Sequence, residues 1–168
     1  MPTADVDVER IVRTLNDHHV DYVAVGGFAL ELWDVAVPPT HDIDVTPALS
    51  PENLGRLCKA INELGAAIRI SGSESVSIPG GFTPELVGRI EVLNLVTDAG
   101  PLDITVVPEG TTGYADLVVN ATDIMYGELP VPTASLEDVA RSKEAAGREK
   151  DLRTLPAIQA HLRRRKRQ

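Results

Sequence analysis

Two aspartates stand in one short apolar segment of the chain, DIDVT at residues 42–46. Because successive side chains of a β-strand point to opposite faces, Asp42 and Asp44 would share one face, about 6.5 to 7 Å apart, while Ile43 and Val45 enter the core. Two carboxylates on one face repel each other unless a cation compensates them, and hard divalent cations bind through such oxygens. The pattern indicates either a metal site or a strand face that contacts only solvent.

A third carboxylate stands in a later segment of the same kind, LDITVV at residues 102–107. Leu102 and Ile104 would take the apolar face, which leaves Asp103 on the opposite face. Three aspartates on neighbouring strands can hold two metal ions about 3.5 to 4 Å apart, the arrangement used for in-line phosphoryl displacement. We therefore predict that Asp42, Asp44 and Asp103 are metal ligands.

The glycine pair Gly26-Gly27 lies between the apolar segment DYVAV and the helical pattern of FALELW. Without Cβ atoms, the backbone of such a turn can approach a phosphate, and the helix that follows offers unpaired N–H groups. The alternative is a tight turn that binds nothing.

Periodic apolar residues predict alternating helices and strands in the first two thirds of the chain. The expected elements are an opening helix that ends near His18-His19, a strand in DYVAV, a helix from FALELW, a strand at 42–46, a helix from Ser50 to Gly65, a strand in AAIRI, a mobile loop at 71–85, and a hairpin of IEVLNLVT with LDITVV.

The C-terminal third is predicted to be mostly helical. It carries a short helix near YADLVVNA, a strand pair in IMYGELPVPTA, a helix opened by Ser135, and a last helix with Leu152, Leu155, Ile158 and Leu162 that Pro156 kinks or restarts. This order predicts an α/β (α+β) fold: a mixed β-sheet flanked by helices, with a C-terminal helical part. We expect a core at 1–110 and a helical portion at 111–168, packed as a single compact unit.

Composition favours one folded cytoplasmic domain. The chain has 168 residues, 43% of them hydrophobic, and a single cysteine, Cys58, at helical spacing among leucines, which indicates a buried free thiol. The first ten residues, MPTADVDVER, lack the apolar segment of a signal peptide, and no apolar stretch approaches the roughly 18 residues of a membrane span. No membrane partner is expected.

Charge is distributed unevenly along the chain. The net charge is −9, yet residues 163–167 read RRRKR, so the rest of the chain is more acidic still. A basic tail on an acidic body can steer a phosphate-rich partner, or it can be a solvated, frayed terminus.

Three segments together resemble a known family, the minimal nucleotidyltransferases of the AbiEii and MenT toxin type. They are VGGFALEL…PPTHDIDVTP, the later LDITVV, and the C-terminal SKEAAGREKDLRTL, in the family's order. The resemblance implies a nucleotidyltransferase fold, an NTP substrate, two Mg²⁺ ions that Mn²⁺ can replace, and transfer of an NMP to an acceptor hydroxyl. It further implies an RNA acceptor, a tRNA 3′ end, and the role of toxin beside a cognate antitoxin.

The resemblance also implies roles for individual residues. Gly26 and Gly27 match the phosphate-contacting turn, and Asp42 and Asp44 match the metal-binding pair. Asp103 matches a third metal ligand that helps to deprotonate the attacking hydroxyl.

Further matches concern the nucleotide. Lys143 matches a helix lysine that meets the triphosphate, Asp151 an acidic residue that supports the site, and Thr40 a hydroxyl at its mouth. Arg148, and less specifically Lys150, match bases near the triphosphate, although exposed bases near a helix end are commonly solvated.

One departure from the family pattern stands at Pro38-Pro39, where many relatives have an arginine. A base that orients the triphosphate or the acceptor would then come from Arg148 or the tail. Two other functions keep the same motifs: a nucleotidyltransferase that modifies a small molecule such as an antibiotic, and a non-catalytic binding or antitoxin-like module.

Overall fold

A computed structural model describes residues 5–168 of the protein. The expectation for the N-terminal segment falls partly on residues 1–4, which lie outside the described residues. The helices are α1 (Val8–Asp17), α2 (Gly26–Leu32), α3 (Pro51–Glu63), α4 (Pro84–Val87), α5 (Tyr114–Leu117), α6 (Leu136–Ala146) and α7 (Glu149–Lys166), with a 3₁₀ turn at Val118–Asn120. The strands are β1 (Tyr22–Ala24), β2 (Ile43–Pro47), β3 (Ala67–Ser71), β4 (Glu74–Val76), β5 (Val92–Thr97), β6 (Gly100–Thr105), β7 (Thr122–Tyr126) and β8 (Leu129–Thr133).

All eight strands join one mixed sheet in the order β4-β3-β5-β6-β2-β1-β8-β7. The pairs β2/β6 and β1/β8 are parallel, and the other neighbours are antiparallel. The predicted fold class is confirmed, since a mixed sheet is flanked by helices and the chain ends in two of them. The region 111–168 contributes both those helices and the strands β7 and β8. Across residues 5–168, no helix has the length and hydropathy that a membrane crossing requires.

The apolar positions predicted from periodicity form two buried clusters. One contains Ile43 and Val45 of β2 together with Leu57 and Ile61 of α3. The other joins α2, α6 and α7, with Ile158 of α7 fully buried. Because Ile43 and Val45 lie in the first cluster, the intervening side chain of β2 must point to the opposite side of the sheet.

Several predicted elements are found as expected. Helix α3 begins after Ser50, whose side chain accepts a hydrogen bond from the N–H of Asn53, and α6 begins after Ser135 in the same way. The hairpin of β5 and β6 is present, and Cys58 is a buried free thiol.

Other details differ from the prediction. The segment 71–85 is not a loop throughout, because it contains β4 and α4, and Phe82 is only 3% exposed. The Asn62 amide holds this segment by pairing with the backbone N–H and C=O of Phe82 at 2.9 and 3.0 Å. Leu152, one of the apolar positions of the last predicted helix, is 50% exposed. Helix α7 continues through Pro156 rather than restarting there.

The fully buried side chain of Asn53 links the residue before β1 to the residue after β2. Its Oδ1 accepts from the N–H of Asp21 at 2.7 Å, and its Nδ2 donates to the carbonyls of Asp21 and Ala48 at 2.9 and 2.8 Å. These bonds bring the start of β1 and the end of β2 against the first turn of α3.

Replacing this amide should destabilise the whole fold. We expect Asn53→Ala to lower the free energy of unfolding by about 2 to 4 kcal/mol, since it leaves buried backbone groups unpaired. Urea unfolding followed by circular dichroism measures the loss. The exposed Lys59→Ala on the same helix should change stability by no more than about 0.5 kcal/mol, and an equally small loss for Asn53→Ala would contradict this role.

Candidate active site

A cleft of about 1040 Å³ opens on the side of the sheet opposite to α3. Strands β2, β5 and β6, the first turn of α2, and helices α6 and α7 all contribute to its walls. Each site residue predicted from the sequence lines it: Gly26, Gly27, Thr40, Asp42, Asp44, Asp103, Lys143, Arg148, Lys150 and Asp151. Residues more than 120 positions apart in the sequence therefore meet in one cavity.

The carboxylates are set side by side by strand register. Asp44 of β2 stands opposite Asp103 of β6 in the parallel pair, and Asp103 stands opposite Asn94 of β5. Asp42 precedes β2 directly and lines the same cleft. The alternation that directs Ile43 and Val45 into the core is what directs the two aspartates here.

Asp44 has the most unfavourable environment of the three aspartates. Its Oδ1 is buried without a hydrogen-bond partner. Burial of the carboxyl, together with the charges of Asp103 and Asp42, raises the pKa of Asp44 to about 7, although Lys143 acts in the opposite direction. One oxygen of this carboxyl therefore has no compensating partner, in a site where two other carboxylates stand nearby.

The glycine pair packs directly against these acidic residues. Gly26 has a positive φ of 59°, and a Cβ there would lie 2.7 Å from Oδ2 of Asp44. A Cβ on Gly27 would lie 3.3 Å from Cβ of Thr40. The sequence had predicted a separate turn before the helix. Helix α2 instead begins at Gly26, so the glycine pair belongs to the first turn of the helix. Close packing therefore requires glycine at position 26.

Thr40 closes the loop that leads into β2. Its Oγ1 accepts a hydrogen bond from the N–H of Asp42 at 3.2 Å and donates to the carbonyl of Asp42 at 3.1 Å. The hydroxyl thus holds the backbone of Asp42 at the edge of the cleft.

A cluster of one acidic and two basic side chains lines the cleft from α6 and from the start of α7. Asp151 is 2% exposed, and its two oxygens receive Lys143 Nζ at 3.4 Å and Arg148 Nε at 2.6 Å. Burial opposes ionisation, yet the hydrogen bond from Arg148 and the charge of Lys143 lower the pKa of Asp151 below its ordinary value. Asp151 is therefore ionised and holds both bases at the cleft wall.

Two polar residues of the cleft region escaped the sequence analysis. Arg69 of β3 donates from Nη2 to Asp103 Oδ1 at 3.0 Å, and its Nη1 lies 3.9 Å from Asp42 Oδ1. Burial raises the pKa of Asp103, and the charge of Arg69 opposes that rise. Asn94 lines the cleft beside Asp103. Each is a polar residue between two apolar residues of a strand, which was the available signal, but its proximity to the aspartates depends on strand pairing.

The donor chemistry of the site suits a hard divalent cation. Carboxylate oxygens are the ligands that Mg²⁺ and Mn²⁺ prefer, and the unpartnered Oδ1 of Asp44 is a buried acceptor of the right kind. Over residues 5–168, however, no group of three or more His, Cys, Asp and Glu side chains is arranged to hold a metal ion without movement.

Comparison with known proteins gives no match to a family model and none to a curated protein sequence. Solved structures do match. The lincosamide antibiotic adenylyltransferase LnuA, with lincomycin bound, superimposes with a TM-score of 0.61 at 14% identity over 94% of this chain and 99% of that one. The chain has a nucleotidyltransferase fold.

Two further structures agree with this fold. A protein of Thermotoga maritima assigned as a nucleotidyltransferase gives a TM-score of 0.56 at 20% identity, covering 89% of this chain and 88% of that one. ANT(2″)-Ia in complex with adenylyl-2″-tobramycin also gives 0.56, at 14% identity over 92% and 87%. At these identities the likeness concerns the fold, and the AbiEii/MenT type stays a prediction.

The raised pKa of Asp44 predicts a pH-dependent stability. Between the ordinary pKa of an aspartate, near 3.9, and about 7, the folded protein keeps a proton that the unfolded chain has lost, so stability falls as pH rises through this window. We expect Asp44→Asn to gain stability relative to the wild type between pH 4.5 and pH 8, by more than about 1 kcal/mol.

Urea unfolding of both proteins in EDTA at the two pH values measures this difference. A gap between variant and wild type that stays constant from pH 4.5 to 8 would show that the Asp44 carboxyl ionises as in water.

Proposed function

We propose that the protein is a metal-dependent nucleotidyltransferase that moves an NMP from an NTP to an acceptor hydroxyl. One observation carries the proposal: three carboxylates on adjacent strands share a cleft with the first turn of a helix and with Lys143. A cleft of about 1040 Å³ has room for a nucleoside triphosphate beside an acceptor group.

In the proposed reaction, the acceptor oxygen forms a bond to the α-phosphorus of the NTP. The bond from that phosphorus to the oxygen bridging the α and β phosphates breaks, and pyrophosphate leaves with the electron pair. The proton of the acceptor hydroxyl passes to a carboxylate of the site, for which we propose Asp103 because it matches the family's third carboxylate and lines the cleft.

Asp42, Asp44 and Asp103 would hold divalent ions, two Mg²⁺ in the proposed enzyme. Bound there, the ions would lower the pKa of the acceptor hydroxyl and compensate charge on the phosphates. The free Oδ1 of Asp44 supports this assignment, since a cation would supply the partner that the protein does not. Gly26 lets the backbone of α2 lie against this carboxylate.

The opposite wall supplies fixed positive charge for the triphosphate. Lys143 is 14% exposed on its side chain and is held by the ionised Asp151, so its ammonium has a defined position at the cleft. Arg148 binds the same carboxylate from the start of α7. Pre-positioned cations of this kind stabilise the charge that develops on a leaving pyrophosphate. Thr40 and Gly27 would contact the phosphates from the other side of the cleft.

We propose an RNA end, such as a tRNA 3′ terminus, as the acceptor. Helix α7 begins at the cleft wall and is about 27 Å long, and its last turn contains Arg163–Lys166 of the basic tail. The tail is helical, and the Arg165 guanidinium lies 4.6 Å from the centroid of the Trp33 ring, so its charges are displayed on an ordered element. This arrangement supports an acceptor with many phosphates.

The resemblance to AbiEii and MenT supports a further proposal, that the protein acts in the cytoplasm as the toxin of a toxin–antitoxin pair. A cognate antitoxin would then be a partner.

A second candidate is a nucleotidyltransferase that modifies a small molecule. It is favoured by the structural likeness to LnuA and ANT(2″)-Ia, whose structures contain lincomycin and an adenylylated tobramycin. It would use the same carboxylates, so only the acceptor differs. A non-catalytic module is disfavoured by the three aspartates in one cleft.

The deciding experiment is incubation with total tRNA, or with lincosamide and aminoglycoside antibiotics, together with Mg²⁺ and each labelled NTP. We expect label on RNA for the wild type, and a loss of at least about a thousandfold for Asp42→Asn and Asp44→Asn because each removes a proposed metal ligand. Asp123→Asn, on the exposed strand β7, is the matched control and should keep its activity.

Label on the antibiotic alone would favour the second candidate. Full activity of either aspartate variant would contradict the assigned site.

The basic tail is tested by changing charge without removing the helix. We expect replacement of Arg163, Arg164, Lys166 and Arg167 by Gln to weaken RNA binding and to lower the salt slope of the affinity by up to about 3, because fewer phosphates are contacted. Arg165 is kept because it packs on Trp33. Fluorescence anisotropy with labelled tRNA across NaCl concentrations measures both effects.

The quadruple variant Arg10→Gln/Arg13→Gln/Lys59→Gln/Arg89→Gln, at exposed positions of α1, α3 and the segment after α4, removes the same number of positive charges and controls for net charge. Equal effects of the tail variant and this control would argue against RNA recognition by the tail.

A further inference from the structure

A guanidinium lies beside two of the three proposed metal ligands. Arg69 contacts Asp103 at 3.0 Å and approaches Asp42 to 3.9 Å. The side chains of Arg69 and Asp103 are 27% and 18% exposed, so the closer pair is partly shielded from water. Pairs of this kind are worth more than the exposed ion pairs of a protein surface.

Strand register places Arg69 at this point. Ala67 and Ile68 of β3 stand opposite Val96 and Leu95 of β5, so one step further along the strand brings Arg69 level with Asn94. Asn94 in turn stands opposite Asp103, and Asp103 opposite Asp44. A row of polar residues therefore crosses four adjacent strands, with one arginine at its end.

The negative charges of the three aspartates are compensated unequally. Arg69 neutralises part of the charge of Asp103 and Asp42, whereas Oδ1 of Asp44 has no partner. The aspartates are also not arranged as a ready metal site within the described part of the chain. Both facts have one explanation if the guanidinium holds two of the carboxylates in positions that differ from those a divalent ion would require.

We propose that Arg69 is a built-in counter-cation that competes with divalent ions for Asp42 and Asp103. Arg69 is in this sense a positioning residue, because it acts through the carboxylates. Binding of an ion by Asp42, Asp44 and Asp103 then requires the guanidinium to leave at least one of its two partners. The affinity for metal is then set by the difference between two free energies: that of the metal ion binding to the carboxylates and that of the guanidinium binding to them. The inference rests on the proposed function, because it concerns the metal ligands assigned there.

Competition predicts that removing the guanidinium tightens metal binding. With Mn²⁺ alone at fixed pH and ionic strength, we expect Arg69→Gln to lower the Kd about tenfold relative to the wild type, a change of about 1.4 kcal/mol. Isothermal titration calorimetry, or the electron paramagnetic resonance signal of free Mn²⁺, measures the Kd without an activity assay. Circular dichroism confirms that each variant is folded.

Two further variants separate direct competition from a general effect of charge. Lys150→Gln removes a positive charge that also acts on Asp103, from the cleft wall and without an ion pair to it, and should change the Kd by less than about threefold. Arg69→Lys keeps the charge but offers one ammonium in place of a fork, so its Kd should lie between those of the wild type and Arg69→Gln.

The outcomes distinguish the two proposals. If Mn²⁺ binds but Arg69→Gln leaves the Kd unchanged, raises it, or lowers it only as much as Lys150→Gln does, competition by Arg69 is wrong and the metal site stands. If none of the four proteins binds Mn²⁺, the metal site fails, and the inference fails with it. Binding by Arg69→Gln at concentrations where the wild type shows none would be the strongest form of the expected result.

Discussion

The crowding of three aspartates on one face of the central sheet is the constraint on which the site depends. Their apolar neighbours on β2 and β6 are fully buried, so these strands cannot turn over without exposing the core. The carboxylates are therefore held together by the hydrophobic effect acting on the other face. Burial and the repulsion between the carboxylates together raise the pKa of Asp44, and one oxygen of this residue has no hydrogen-bond partner. Apolar packing on one face therefore maintains a concentration of negative charge on the other, and such a concentration attracts cations.

The remaining charged groups of the cleft compensate this negative charge in two ways. Arg69 contacts the aspartates directly from the neighbouring part of the sheet. Lys143 and Arg148 are instead held by a separate carboxylate, Asp151, so they face the aspartates across the cleft without pairing with them. This separation leaves space between a negative and a positive wall. A triphosphate with its metal ions has the charge distribution that such a space would accept.

The glycines show how local backbone geometry and the site are coupled. Gly26 is needed both for its positive φ and because Asp44 leaves no room for a Cβ, so its packing partner is a proposed metal ligand. Thr40 packs against Gly27 and at the same time holds the backbone of Asp42. Thus the first turn of α2 and the start of β2 support each other. A change in the first turn of α2 is therefore expected to move the carboxylates of Asp42 and Asp44.

The sequence by itself determined most strands, most helices and the face on which Asp42, Asp44 and Asp103 lie, because alternation and helical periodicity are local properties of the chain. It also singled out Lys143, Arg148 and Asp151, through a resemblance. The tertiary structure decided which strands are neighbours, and hence that Arg69 and Asn94 stand beside Asp103. It also decided that segment 71–85 forms β4 and α4, since the amide of Asn62 and burial of Phe82 hold it. Pairing between strands far apart in sequence arises from packing of the whole core, which no local pattern encodes.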